Sequence, residues 1–282
     1  MSVFYLISII LGCAFQNIIK KPYTQRTSGK GVYFFGLLTS LAAMLFFIIT
    51  SGGFEWNVGL LVYAVFFALS YATSIVCSVA AIAYGSLSLT TLIISYSLMV
   101  PSVYGLVFLN DPIGFGLFPG LVLLAVSLFL INQKSADSPI TFKWIIFVLL
   151  AFMGNGMCSV VQKMQQTAFG GAFKNEFMIL ALAIVVIFLG ILTFKRERKE
   201  IKVLAKSGWY LAFPCGIANG MVNLLVMILS NIMPVSLMFP MISAGGIVVT
   251  YFVSRFFYKE KLTKMQLVGF IFGIISVVFL NI

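Results

Sequence analysis

The side chains in this sequence best suited to recognising a ligand are carboxamides set within long apolar segments. One segment carries Asn155, Ser159 and Gln162 at spacings of four and three residues, which places them on one face of a helix. Another carries Asn219 and Asn223, one helical turn apart. Amides donate and accept hydrogen bonds, and burying them unpaired in hydrocarbon is costly. The pattern therefore predicts either a cavity that binds a small polar solute or hydrogen bonds between helices.

Hydroxyl groups and aromatic rings accompany the amides in other apolar segments. Serines in membrane helices often bond to a neighbouring helix or to their own preceding turn, so both roles stay open for them. Tyr71 and Tyr96 lie well inside their segments, away from the interface that tyrosines prefer. Proline removes a backbone hydrogen bond, so either gating or a static kink is expected at Pro101 and Pro240. The candidate substrate-binding residues are Gln16, Tyr71, Ser74, Ser95, Tyr96, Asn155, Ser159, Asn219, Asn223 and Ser243.

Acid–base chemistry has few candidate groups in this sequence. There is no histidine, and none of the seven acids occupies the middle of an apolar segment, Glu176 lying near the start of one. An intramembrane carboxylate is the usual proton relay or counter-ion for a cation, so a neutral, zwitterionic or amphipathic solute is expected. A quaternary amine held by aromatic faces stays open. The four cysteines fall in apolar segments without metal-ligand spacing, so we expect buried thiols, no metal and no cofactor.

The composition requires lipid as the solvent for most of the surface. Of 282 residues, 61% are apolar and 9% charged, whereas soluble domains carry about 25% charged residues. The apolar segments are long and unbroken, which favours helices over barrel strands. We expect an all-α membrane protein with ten transmembrane helices near residues 3–19, 33–50, 57–82, 86–109, 114–132, 142–165, 176–194, 208–230, 234–257 and 264–282.

The two halves of the sequence resemble each other. At an offset of 149 residues the aligned pairs include Asp111 with Glu260, Gly120 with Gly269, and Ser127 with Ser276. At an offset of 142, Gly12 aligns with Gly154 and Lys21 with Lys163. Each half holds five expected helices, an odd number, so the second copy should cross the membrane in the opposite direction. The predicted organisation is a first repeat at 1–133, a linker at 134–141 and an inverted repeat at 142–282.

Two segments resemble the EamA-like, ten-helix members of the drug/metabolite transporter superfamily. The stronger is "FFYKEKLTKMQLVGFIFGIISVVFLN", an acidic turn followed by a glycine-rich last helix, and "FLNDPIGFGLFPGLVLLAVSLFLIN" matches it in the first half. The resemblance implies a small-solute carrier with a cavity between helices 1, 3, 4, 6, 8 and 9, packed against helices 5 and 10. An inverted repeat is the arrangement that transporters use for alternating access, and we expect the chain to lie in the bacterial cytoplasmic membrane.

Three functional classes are compatible with these features. The preferred one is a secondary transporter; a non-transporting receptor or scaffold, and a membrane-embedded enzyme, are the alternatives. The expected partners are a small-molecule substrate and the lipid bilayer, with no nucleic acid, and the chain is expected to act as a monomer or a homodimer. Lysines and arginines concentrate after helices 1, 7 and 9, which predicts a cytoplasmic location for those loops and external termini. The resembling family is usually drawn with internal termini, so the two orientations conflict.

Overall fold

The structure is a bundle of α-helices. The computed structural model describes residues 2–27, 31–84, 90, 93–94, 96–131, 141–256 and 263–280. Within these ranges the structure has ten α-helices with defined bounds and no strand; residues 90 and 93–94 are helical as well. A 3-10 turn, Tyr96–Leu98, lies directly before the fourth of the ten helices. The helices are α1 (Ser2–Arg26), α2 (Val32–Thr50), α3 (Gly59–Tyr84), α4 (Met99–Phe108), α5 (Leu117–Ile131), α6 (Phe142–Ala168), α7 (Lys174–Arg196), α8 (Ile201–Leu229), α9 (Val235–Phe256) and α10 (Lys264–Leu280).

Five helices are long and apolar enough to cross a bilayer. They are α2, α3, α6, α7 and the Gly208–Leu229 part of α8, and a span needs about 20 apolar residues. Their outer faces are apolar, as at Leu69 and Ile187, which are 59% and 64% exposed. Such a surface is stable in lipid and not in water, so the chain is an integral membrane protein. The remaining five crossings expected from the sequence stay a prediction.

The described part of the fourth expected span, 86–109, contains a 3-10 turn between helical residues. A 3-10 turn at Tyr96–Leu98 precedes α4, and Pro101 is the third residue of α4. Because proline has no N–H, it cannot donate to the carbonyl of Ser97, four residues earlier. The tighter turn is where the helix changes its hydrogen-bonding pattern. Pro101 therefore stands in the first turn of α4, directly after this 3-10 turn.

The most extensive packing joins helices from opposite halves of the chain. α3 packs on α6, and their counterparts α8 and α1 pack on each other. In the same way α2 packs on α8, and their counterparts α7 and α3 pack on each other. α5 packs on α10, and α2 on α7. If each helix is exchanged with its counterpart five positions along the chain, this set of contacts maps onto itself. The hydrophobic core therefore forms between the halves as well as within them.

One pair of hydrogen bonds repeats the same exchange at the level of single atoms. The Ser127 hydroxyl donates to the Gly269 carbonyl at 2.6 Å, and the Ser276 hydroxyl donates to the Gly120 carbonyl at 2.8 Å. Both serine side chains are fully buried. The alignment of the two halves at an offset of 149 pairs Ser127 with Ser276 and Gly120 with Gly269. The serine of each helix therefore bonds to the paired glycine of the other helix.

Two groups of helix termini define the ends of the bundle. At the basic end, the end of α1, the start of α2, the end of α7 and the start of α8 meet, and Tyr23 donates to the Gly31 carbonyl at 2.9 Å. At the opposite end, the end of α2 meets the start of α7, where the Asn175 amide donates to the Thr50 carbonyl at 3.0 Å. The turns after α4, α6 and α8 also lie at the opposite end.

Candidate functional site

Four carboxamides from three helices form one hydrogen-bonded chain in the interior. Asn219 Nδ2 donates to Gln16 Oε1 at 3.1 Å, and Asn223 Nδ2 donates to Asn219 Oδ1 at 3.0 Å. Gln162 Nε2 donates to Asn223 Oδ1 at 2.7 Å. We call Gln16, Gln162, Asn219 and Asn223 the amide chain. It joins α1 and α6, one from each half, through α8.

Helical spacing and burial position the amide chain. Asn219 and Asn223 are one turn apart on α8, so the Asn223 amide also donates to the Asn219 backbone carbonyl at 2.8 Å. Gln16 and Gln162 are 7% and 3% exposed, which removes their amides from lipid and from bulk water. Three of these residues were predicted binding residues. Gln162 lies on the predicted face of α6. Because it is close to the helix end, solvation at the membrane interface and contact with a substrate were both expected for it.

Further polar contacts continue from the amide chain towards the opposite end. Asn231 Nδ2 donates to Gln166 Oε1 at 2.9 Å, and Gln166 bonds in turn to the buried Gln165. Lys163 Nζ donates to the Ser230 carbonyl, at the end of α8, at 2.6 Å. Sequence reasoning did not single out Gln165, Ser230 or Asn231, because residues near helix ends are ordinarily solvated. Their nearness to one another is a property of how α6 and α8 pack.

Asn155 contacts the irregular segment before α4. Its Nδ2 donates to the Ser97 hydroxyl at 2.6 Å. α6 approaches closely here because residue 156 is glycine: a Cβ at Gly156 would lie 2.7 Å from the Ser97 carbonyl oxygen and 2.5 Å from Val100 Cβ. Irregular backbone at membrane depth is tolerated where protein or a polar cavity surrounds it. The Asn155–Ser97 contact thus joins the first and second halves beside the 3-10 turn.

The other predicted site residues do not join the amide chain through any hydrogen bond described. The Tyr96 hydroxyl donates to the Ala125 carbonyl in α5 at 2.6 Å, which is a contact between packed segments. Tyr71 stacks on Phe67 with ring centroids 6.1 Å apart. The remaining positions are half-buried Ser74, Ser159 and Ser243, buried Pro101 and Pro240, and Ser95, which lies outside the described residues.

A carboxylate binds the first turn of α9 at the opposite end. Asp111 Oδ2 accepts a hydrogen bond from the Ser236 backbone N–H at 2.9 Å. Asn110, with a left-handed φ of 52°, turns the chain after α4, and the Asp111 N–H returns to the Gly105 carbonyl at 3.2 Å. Gly105 has to be small, since a Cβ there would lie 2.5 Å from Asp111 Oδ2. Asp111 therefore acts as an N-cap supplied from the other half.

Comparison with known proteins assigns the family. The model of the EamA-like transporter family matches residues 142–282. The chain belongs to the EamA-like transporter family. Through it, the chain belongs to the drug/metabolite transporter superfamily, which confirms the resemblance drawn from the sequence. No curated protein matched the sequence.

The fold of this EamA-like chain also occurs in solved structures. It is similar to one described only as "Crystal structure of protein", with a TM-score of 0.74 and 10% sequence identity. The match covers 99% of this chain and 95% of the other. At this identity the likeness shows a shared fold and carries no information on the solute.

The interior site of this EamA-like chain is polar without charge. The four members of the amide chain are all carboxamides, and in the described ranges no group of three His, Cys, Asp or Glu residues is placed to hold a metal ion. A groove of about 300 Å³ lies elsewhere, between α3 and α7, and includes Ala72, Val76 and Ile184 in its lining. It is lined by apolar residues for the most part and contains none of the amides. The amide chain is thus the part of the described structure best suited to bind a polar solute.

Proposed function

We propose that this protein is a secondary transporter that moves a small neutral, zwitterionic or amphipathic metabolite across the membrane. Transport would proceed by alternating access between two inverted five-helix repeats, 1–133 and 142–282. Membership of the EamA-like family supports a transporter rather than an enzyme. The solute is defined here only by the chemistry that would recognise it.

The packing between the halves supports the inverted-repeat part of the proposal. A pseudo-twofold axis would relate the packing of α3 on α6 to the packing of α8 on α1. It would also relate the Ser127–Gly269 bond to the Ser276–Gly120 bond. Two chemically similar halves give inward-open and outward-open states of similar energy. A modest difference in ligand affinity can then shift the population between them.

The amide chain is the observation that carries the solute assignment. It joins α1, α6 and α8, which the family resemblance places around the cavity, and it contains no ionised group. In this structure the amides bond to one another. A solute with donors and acceptors could replace these bonds one for one, so little hydrogen-bond energy is lost on exchange. The amide chain offers no counter-ion to a solute with a net charge, so binding of such a solute would be disfavoured.

A thermal-shift screen of a metabolite library with purified protein tests the proposal. A ligand of the folded state raises the melting temperature by mass action, and we expect the shift to be lost in Asn219→Ala and Asn223→Ala. Tyr96→Phe is the matched control, because the Tyr96 hydroxyl is engaged by α5 and its loss should leave the ligand shift intact. Absence of any shift, together with absence of counterflow of every candidate in proteoliposomes, would refute the proposal.

The setting of the transporter follows from the same features. We propose the bacterial cytoplasmic membrane as its location, lipid as its surroundings, a monomer or homodimer as its state, and no nucleic-acid partner. The charge distribution favours a cytoplasmic basic end and external termini. Labelling a single engineered cysteine at each terminus with an impermeant thiol reagent, in a background without the native cysteines, decides between this orientation and its inverse.

One observation favours a non-transporting receptor or scaffold. Every member of the amide chain already bonds to another member, as amides that only hold helices together would do. A scaffold would bind no solute, and the Asn219→Ala and Asn223→Ala variants would then lose stability without losing any ligand shift. The same screen therefore separates the two functions.

A further inference from the structure

Basic residues are concentrated at the end of α7, in the turn after it and at the start of α8. Positions 195 to 206 contain six basic and two acidic residues. The Glu197 carboxylate turns inward and accepts hydrogen bonds from the backbone N–H groups of Tyr33 at 3.2 Å and Phe34 at 2.8 Å. The basic side chains are all exposed; they are Lys195, Arg196, Arg198, Lys199, Lys202 and Lys206. The fold thus engages one acid internally and presents six cations at the surface of the basic end.

The first turns of α8 continue this surface into the membrane. Lys202, Val203, Lys206, Trp209 and Tyr210 follow the spacing of one helical face. Both lysines are exposed, and Val203, Trp209 and Tyr210 are 68%, 58% and 38% exposed. We call these five residues the α8 stripe.

The reverse side of these turns is committed to the bundle. Leu204 is buried, and a Cβ built on Gly31 would lie 2.5 Å from its Cδ2. Gly208 packs so closely on Tyr23 that a Cβ would lie 2.4 Å from the ring. The α8 stripe therefore faces away from the bundle.

The order of Lys202, Lys206 and Trp209 along the α8 stripe matches the order of layers in a bilayer. The apolar part of α8 begins at Gly208, and tryptophan and tyrosine prefer the boundary between hydrocarbon and headgroups. Lys206 and Lys202 lie about 4.5 Å and 10 Å farther out along the helix than Trp209. The headgroup layer is roughly 5–7 Å thick on each side. When Trp209 lies at the boundary, the lysine ammonium groups are at or just beyond the level of the lipid phosphates, within reach of a flexible side chain.

We infer that the α8 stripe and the basic segment before it bind the headgroups of anionic phospholipids. The lysines supply charge complementarity to the lipid phosphodiester, and Trp209 contacts the upper acyl chain. A zwitterionic lipid presents the same phosphate beside a cation, so its attraction to the stripe is weaker. Each basic residue near an anionic surface contributes about fivefold in affinity at low ionic strength. This surface is independent of the solute site and of the direction of transport.

Brominated lipids test the inference, because bromine quenches tryptophan fluorescence on contact. The full chain is placed in nanodiscs that contain the same mole fraction of brominated phosphatidylglycerol or brominated phosphatidylcholine. The difference between the parent protein and Trp209→Phe isolates the Trp209 signal from Trp56 and Trp144. We expect quenching of Trp209 to be about threefold stronger with the anionic lipid at low salt, and the ratio to fall as salt rises.

A double variant and a matched control make the test specific. Lys202→Gln with Lys206→Gln should bring the quenching ratio to one, whereas Lys174→Gln, at the opposite end, should leave it unchanged. Equal quenching by both lipids in the parent protein overturns the inference, as does a ratio that survives the double variant. Loss of the preference on adding inorganic phosphate, at ionic strength matched with chloride, assigns the site to free phosphate and overturns the lipid assignment. Melting temperatures of the variants show that each is folded.

Discussion

At each end of the bundle, a carboxylate of one half binds the first turn of a helix in the other half. At the basic end, Glu197 of the second half accepts two N–H groups of α2, those of Tyr33 and Phe34. The residue before α2 is Gly31, which has no side chain to serve as an N-cap. At the opposite end, Asp111 of the first half accepts the Ser236 N–H of α9. The two contacts use the same chemistry, a carboxylate at the positive end of a helix.

The helices that the two acids join are different. Glu197 joins α7 to α2, which are regular and long enough to span the membrane. Asp111 follows α4, which begins after a 3-10 turn and contains Pro101, and it binds α9, which contains Pro240. Proline and 3-10 turns are where helices bend. From this difference we predict that the Glu197 contact fixes a rigid frame, whereas the Asp111 contact holds two helices that move against that frame during transport.

The largest effect is expected from removing the Asp111 contact at the opposite end. A hydrogen bond to a charged group contributes about 1.5–3 kcal/mol, so losing it shifts a closed–open equilibrium by tenfold or more. We expect Asp111→Ala to raise the labelling rate of a cysteine at position 159 by about tenfold. The measurement uses Ser159→Cys in a background without the four native cysteines, and an impermeant thiol reagent added from the opposite end.

Glu55→Gln is the control for this experiment, because Glu55 is an exposed acid at the same end. It should label at the parent rate. An Asp111→Ala protein that also labels at the parent rate would show that the contact does not restrain opening.

The next effect is on stability at the basic end. Glu197→Ala leaves the first N–H groups of α2 without their carboxylate, and loss of an N-cap costs about 0.5–2 kcal/mol. We expect a lower melting temperature and an unchanged labelling rate at position 159. Glu55→Ala should change neither quantity. If Glu197→Ala increased labelling as much as Asp111→Ala, the distinction between frame and moving helices would be lost.

The paired serines of α5 and α10 offer a sharper test of the symmetry that underlies the comparison. Ser127→Ala and Ser276→Ala each remove one buried hydrogen bond to a glycine carbonyl, which is worth about 1 kcal/mol. Two-fold related sites should lose similar stability, so we expect similar decreases in melting temperature. A cost confined to one of the two variants would contradict the equivalence of the helices.

The smallest expected effect is a pH dependence from Glu197. Desolvation by burial raises its pKa above the ordinary value of 4.5, against the opposing effect of its backbone hydrogen bonds. Because the folded state then holds the proton more tightly than the unfolded chain, the associated stability is present below pH 4.5 and is lost as pH rises through the raised pKa. Melting temperatures of the parent protein and of Glu197→Gln, measured upward from pH 4.5, should converge at low pH. Parallel curves would show that burial does not shift this group.

The sequence predicted the spacing of the amides on their helix, but not the hydrogen-bond partners of those amides. Asn219 and Asn223 were expected on one face of a helix, and they are one turn apart on α8. Their bonds to Gln16 and Gln162 depend on residues about 200 and 60 positions away, which no local spacing encodes. The sequence also grouped Tyr96 with the site, yet its hydroxyl is engaged by Ala125, because α5 packs against that segment.

The sequence by itself determined the all-helical class, the membrane environment and the family. These follow from local properties, since apolar length and composition decide whether a segment can exchange water for lipid, and a motif is read along the chain. Only the tertiary structure decided that Asp111 and Glu197 serve helices of the other half, and that Glu197 turns inward while its basic neighbours face outward. Such choices depend on which helix ends meet in space, and that is fixed by packing between segments far apart in sequence.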